Sequence, residues 1–247
     1  MEINFFLGLI IFTLSIFQSI FGIGLLALGT PLLLIIGFYF IDILYILLPC
    51  SILVSLITFI IISKREKNII DRQVIRSFVF FSIPGIILGL IFVYYNELNL
   101  NFKILIAILI IISALLKKYF NRESKFINNK KIINLLIGII HGVSNMGGSF
   151  LSIYLLSIYK NKIKIRYHLT FAYIFFAITQ LIFLQILYSE ASNNYNIFLL
   201  ILFSAIGSLL GNFLDRFINK EFFFKILNIC IFLTALILLT KSFNELL

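Results

Sequence analysis

Two short clusters hold the side chains and glycines that could meet a small solute. The first is Ser19, Gly22 and Gly24. The second is His141, Ser144, Asn145, Gly147, Gly148 and Ser149. Hydroxyls, an amide and an imidazole are hydrogen-bonding groups that need carry no charge. Glycine adds close approach to backbone N–H groups. Such a set suits a small anion bound by oriented donors. Where a helix starts at a cluster, its first N–H groups lack intrahelical partners and carry the positive end of the helix dipole. His141 is the one ionisable side chain in its stretch. It could bind an anion when protonated, relay a proton, or sit neutral against a carbonyl. The glycines have a second reading, tight helix packing.

Other chemistry is poorly supplied. No Gly-x-x-x-x-Gly-Lys-Ser/Thr motif is present, so the chain is not expected to hydrolyse ATP itself. Cys50, Cys230, His141 and His168 fit no zinc spacing. Both cysteines lie in apolar runs and read as small apolar residues. No metal and no cofactor are expected. Nucleophilic catalysis needs a nucleophile, a base and an orienting group, and only His141 with nearby Ser144 hints at one. No Asp or Glu occupies the centre of a span, which leaves a carboxylate proton relay without support. An intramembrane enzyme and a non-transporting membrane anchor are the alternatives to a transporter.

These clusters sit in a chain that water would not dissolve. Of its 247 residues, 62% are hydrophobic and only 12% charged, with mean hydropathy +1.13. Soluble domains are about half apolar and a quarter charged. Lipid is the expected solvent. The opening Met1-Glu2-Ile3-Asn4 carries no Lys or Arg, so the first apolar stretch reads as mature protein rather than a secretory signal. The net charge of +10 comes from short loops between apolar runs. That pattern orients a protein in a membrane and does not point to nucleic acid.

Six runs approach the roughly 20 apolar residues that a spanning helix needs. They are 42–63, 74–94, 102–116, 167–188, 197–214 and 222–239. Two stretches do not fit as single spans. Residues 4–39 are interrupted at Gly22-Ile23-Gly24 and again at Gly29-Thr30-Pro31, and residues 132–159 at Gly142 and around Asn145 to Ser149. Pro49 and Pro84 are expected to bend their helices, and Gln180 and Gln185 to line a cavity. Asp42 and Asp215 are expected to be solvated at span ends, and His168 to sit at the interface.

Lys103 and Lys241 aside, the 20 Lys and Arg fall in four segments, 64–76, 117–131, 160–166 and 216–225. The positive-inside rule puts all four in the cytoplasm. Residues 132–159 are then flanked by inside segments and must return to the side they left. Arms of about 13 residues reach roughly 20 Å, short of the roughly 30 Å core, so a re-entrant hairpin is expected. Residues 4–39 must likewise begin and end outside. The chain divides into 1–120 and 121–247, each a broken or re-entrant helical hairpin followed by three transmembrane helices, in opposite orientations. Inverted repeats of this kind place a transporter's site at midplane. An ordinary eight-span bundle with two kinked helices is the alternative. The spacings Gly85/Gly89 and Gly207/Gly211 read as close helix contact.

The same residues resemble the TauE/SafE family, sulfite/organosulfonate exporter-like membrane proteins. The repeats of that family open with a Gly-apolar-Gly-Gly-Gly turn, then a Pro some five residues on. Gly22-Ile23-Gly24 and Pro31 match it, with Leu25 and Leu26 at the last two glycines. Met146-Gly147-Gly148 matches the second turn, with Asn145, Ser149 and Tyr154 at its first Gly, last Gly and Pro. The basic loop from Lys64 to Arg72 is similar as well, and Cys50-Ser51 and Thr170 keep part of a small-hydroxyl pair. The resemblance implies a multi-pass protein of the cytoplasmic (inner) cell membrane that exports or takes up small sulfur-containing or carboxylate anions. The partners expected are that anion and the lipid bilayer, with a homo-oligomer compatible.

Overall fold

A computed structural model describes residues 2–66, 69–96, 101–119, 129–188, 195–217 and 240. Among the described residues every regular element is helical. The order is α1 (Glu2–Phe21), α2 (Leu25–Ile36), α3 (Phe40–Arg65), α4 (Arg72–Ser77), a π-helical turn (Phe78–Ser82), α5 (Ile83–Asn96), α6 (Phe102–Tyr119), α7 (Lys130–Ser144), α8 (Gly147–Ile158), α9 (Lys162–Leu187) and α10 (Ile197–Leu214). Among the described residues, five stretches are long and apolar enough to cross a membrane: Asn4–Phe21, Phe40–Arg65, Arg72–Asn96, Lys162–Leu187 and Ile197–Leu214. The chain is an all-α integral membrane protein. The expected span 222–239 lies outside the described residues, and so does Cys230.

Both broken stretches are helical hairpins. The reversals rest on left-handed residues, Gly22 at φ 74° and Asn145 at φ 63°. Glycine adopts that region freely, and asparagine is among the few other residues that visit it. The second interruption expected at Gly29-Thr30-Pro31 does not occur, and α2 runs through it. Pro31 removes one N–H, and membrane bundles tolerate that loss where neighbours enclose the helix. Gly29, Thr30 and Pro31 are all buried. Pro49 likewise lies inside an unbroken α3. At Pro84 the accommodation is different. Its ring would press on the Phe80 carbonyl, and the wider π turn at 78–82 stands there.

The basic segments meet at one end. The Tyr159 hydroxyl donates to Asp71 Oδ2 at 2.6 Å, joining the α3–α4 and α8–α9 connections. Lys162 pairs with Asp215, which follows α10. The Asn134 amide donates to Ser77 Oγ at 2.6 Å, holding the start of α7 to α4. The opposite end gathers the other connections. Tyr45 Oη donates to the Tyr188 carbonyl at 3.1 Å, Phe38 packs on Tyr195 at 5.9 Å, and the Asn196 N–H reaches Asn4 Oδ1 at 3.3 Å.

Helix pairing crosses between the halves of the chain. α1 packs along α10, α7 along α5, and α3 along α9. Small residues make the first two contacts close. A Cβ on Gly207 would lie 2.4 Å from the Phe12 carbonyl oxygen, and one on Gly211 2.6 Å from that of Ile16. On the other pair, a Cβ on Gly85 would lie 2.4 Å from the Leu135 oxygen, and one on Gly142 2.3 Å from that of Ile86. The packing reading of Gly85/Gly89 and Gly207/Gly211 therefore holds.

Candidate functional site

The two hairpin tips sit beside the middles of the long spans α3 and α9. Each of these helices has 26 residues. Ser51 and Tyr173 hold the same place in them, with eleven residues before each.

At the first tip the polar groups answer one another. Gln18 Nε2 donates to Ser51 Oγ at 3.1 Å and to Ser55 Oγ at 3.0 Å. Gln18 Oε1 accepts the Leu25 N–H at 3.2 Å, capping an amide at the start of α2. Leu25 and Leu26 are fully buried, so apolar side chains fill the space around the turn. Gly24, at the head of α2, packs on the α1 backbone, where a Cβ would lie 2.7 Å from the Gln18 nitrogen.

The second tip is built from the same parts and finished differently. Asn145 Nδ2 donates to Thr30 Oγ1 of α2 at 3.0 Å, which joins the two hairpins. Gly147 and Gly148 open α8, where the helix supplies its first amides with no partner. A Cβ on Gly148 would stand 1.5 Å from the Tyr173 hydroxyl oxygen, so a larger residue enters only if the Tyr173 ring swings aside. His141 lies under Gly147 and beside Tyr173 and Phe176, with ring centroids 6.1 and 4.8 Å away. Gln180 donates through Nε2 to the His141 carbonyl at 3.1 Å.

Six buried polar atoms of this tip have no hydrogen-bond partner among the described residues. They are Nδ1 and Nε2 of His141, Oδ1 of Asn145, Oγ of Ser149, Oη of Tyr173 and Oε1 of Gln180. A buried polar group left unpaired costs about 1–3 kcal/mol. Native structures keep few of these, and a cluster of them calls for an explanation. The Ser149 and Tyr173 hydroxyls can donate beside the positive end of α8, which suits an anion, whereas the Asn145 and Gln180 oxygens only accept.

Comparison with known protein families matches residues 7–238 to the sulfite exporter TauE/SafE family. The chain belongs to that family. No curated protein and no solved structure matches it. As a TauE/SafE member it is a multi-pass membrane protein of a transporter family, and the turns that carried the resemblance are the two hairpin tips.

Not all the expected site residues stay available for a solute in this TauE/SafE chain. His141, Asn145, Gly147, Gly148 and Ser149 come together. Ser144 is committed to the turn, donating to the Ile140 carbonyl at 2.6 Å and accepting the Met146 N–H at 3.3 Å. Ser19 faces α10 and α3, donating to Ser208 Oγ at 2.9 Å and accepting from Thr58 at 3.4 Å. Gly22 supplies the left-handed turn of the first tip, where a Cβ would meet Leu169 at 3.0 Å.

Sequence reasoning missed Tyr173, Gln18 and Thr30. Tyr173 had a signal, since it lies seven residues before Gln180 and so on the same helix face. Gln180 is buried at the tip as expected, whereas Gln185 is exposed and lines nothing there.

The basic end corrects one further expectation. Asp215 is not simply solvated: its carboxylate takes both Lys162 and Arg166. His168 lies at this same end and is fully buried. Its Nδ1 donates to the Lys164 carbonyl at 2.7 Å, and its Nε2 accepts the Asp71 N–H at 3.2 Å. Burial alone would raise the Asp71 carboxyl. The Tyr159 hydroxyl, the Val74 amide, the Lys164 charge and the Gln73 amide outweigh it and hold the group below the usual carboxylate range. Burial first, then the bond to Asp71, pushes the Tyr159 phenol upward, which keeps it a donor.

Proposed function

We propose that this chain is a secondary transporter that moves a small anion across the cytoplasmic membrane, binding it at the second hairpin tip. The substrate class is sulfite, a sulfonate or another sulfur-containing or carboxylate anion, in keeping with the family. The observation that carries the reading is the set of unpartnered polar atoms around the head of α8. An anion there accepts from the Gly147 and Gly148 amides, the Tyr173 hydroxyl and the Ser149 hydroxyl. These donors offset the dehydration that a charge suffers in the membrane.

The arrangement of helices supports two inverted repeats, 1–120 and 121–247. The first arm of each hairpin packs on the second span of the other half. α7 and α8 have 15 and 12 residues, roughly 22 and 18 Å, which suits a re-entrant hairpin in a core of about 30 Å. α1, with 20 residues, is long enough to reach nearly across.

The enzyme alternative loses its one hint. The Ser144 hydroxyl donates to a backbone carbonyl, and neither His141 ring nitrogen bonds to it, so among the described residues these two do not pair as nucleophile and base. The test is flux in proteoliposomes with sulfite, thiosulfate, sulfonates and small carboxylates. Gly148→Leu should drop the transported anion to background while the purified variant keeps its helicity and elution volume. Flux equal to that of the parent protein overturns the site.

A further inference from the structure

A second polar feature lies away from the midplane, and neither the family nor the tip site accounts for it. Arg166, on the first turns of α9, is only 3% exposed. One guanidinium nitrogen holds Asp215 Oδ2, and another takes the Ser19 carbonyl and Asn212 Oδ1. The third nitrogen, Nε, is buried with no partner among the described residues. One side chain thus ties α9 to α1 and α10. Lys162 holds the other Asp215 oxygen.

Beside this knot lies a cleft of about 90 Å³. Ile20, Phe21, Leu156 and Ile165 make most of its wall, and Lys160, Lys162 and Arg166 supply the polar part. The volume suits a few waters or one small oxyanion, and excludes a nucleotide. Lys162 and Arg166 share the Asp215 carboxylate, both of whose oxygens are engaged, and Lys160 adds a further charge to the cleft lining. The surplus charge is positive, it is partly shielded from water, and it includes an unsatisfied donor. Those conditions select an anion with several oxygens, which charge-assisted bonds to Arg and Lys hold best.

We propose that this cleft is a second anion site, at the basic mouth of the protein, where an incoming oxyanion takes the place of Asp215 as counter-charge to Lys162 and Arg166. Arrival of the anion loosens α10 from α9 while Lys160 and Lys162 hold the newcomer. The release of the Asp215 tie is therefore linked to the presence of cargo on that side. The role of this site in transport rests on the anion-transporter reading above, whereas binding at the mouth is measurable without it.

The experiment uses the full chain and sulfite as probe. In detergent, sulfite raises the melting temperature of the parent protein and, by a smaller step, of Gly148→Leu, and 0.5 M potassium gluconate reduces that rise as screening requires. In Gly148→Leu the remaining rise is largely lost on adding Lys160→Gln or Lys160→Gln/Lys162→Gln. The single lysine change alters an exposed residue with no partner among the described residues, so it guards against misfolding. In oriented proteoliposomes the double variant raises the half-saturating sulfite concentration about tenfold from the basic face, the size expected for losing charge-assisted contacts. From the other face the change stays under about twofold. Protection that vanishes in Gly148→Leu but persists in the lysine variants overturns the proposal, as does an equal shift from both faces. A parent protein that binds sulfite through Lys160 and moves none leaves the mouth site standing and removes the transporter reading.

Discussion

The two hairpin tips share a backbone and differ in what they leave unsatisfied. Gly22 and Asn145 make the same left-handed reversal. Beyond it, the first tip has Leu25 and the second Gly148, while the neighbouring span offers Ser51 to the first and Tyr173 to the second. Bulk has moved from hairpin to span, while both spans offer a hydroxyl. At the first tip Gln18 links Ser51, Ser55 and the Leu25 amide, so the polar atoms close on one another. At the second, His141 stands where Gln18 would, and its ring closes nothing. Under the proposed function, the first tip is scaffold and the second keeps its donors for a solute.

The largest stability effect belongs at the scaffold tip. Leu25→Ala empties a fully buried site and should cost about 2–5 kcal/mol, read by denaturant unfolding in detergent. Half-saturation for sulfite should stay within about twofold, and a large rise would break the contrast. Gln18→Ala comes next. It strands Ser51, Ser55 and the Leu25 amide and should cost about 1–3 kcal/mol.

The base of the second hairpin can be tested by acid. Because the Asp71 carboxyl is held below its ordinary value of 3.8, its stabilising contribution is present above that value. The contribution fades as pH falls through the lowered one. Asp71→Asn should therefore remove at most about 1 kcal/mol near neutrality, allowing for partial exposure, and the difference from the parent should shrink in acid. A difference that grows in acid sinks the assignment. Tyr173→Phe should have the smallest effect on stability, within about 0.5 kcal/mol, because its hydroxyl has no partner to lose. It should raise half-saturation about three- to tenfold, the worth of one hydrogen bond. If stability falls sharply instead, the second tip is scaffold like the first.

Much of this was legible because it is local. Glycines at 22, 24, 147 and 148 mark the breaks, and clustered Lys and Arg mark one end. The expected span 197–214 coincides with α10. What sequence reasoning missed is long-range. Tyr173 reaches a glycine 25 residues away, and in an apolar run a tyrosine looks like filler. Gln18 becomes informative only once α3 lies beside it. Arg166 and Asp215 read as loop charges because nothing in their own segments tells of the partner. Pro31 misled for a related reason, since the enclosure that lets α2 continue comes from other helices.

The crossed pairing of α1 with α10 and of α7 with α5 has a mechanical consequence. Each hairpin is fastened along its first arm to the opposite half by backbones in near contact at glycine. Were the halves to rock, each would carry the other's tip with it, as the handles of scissors carry the far blades. A tilt too slight to part the fastened pairs would still slide the tips past each other where they meet, between Asn145 and Thr30.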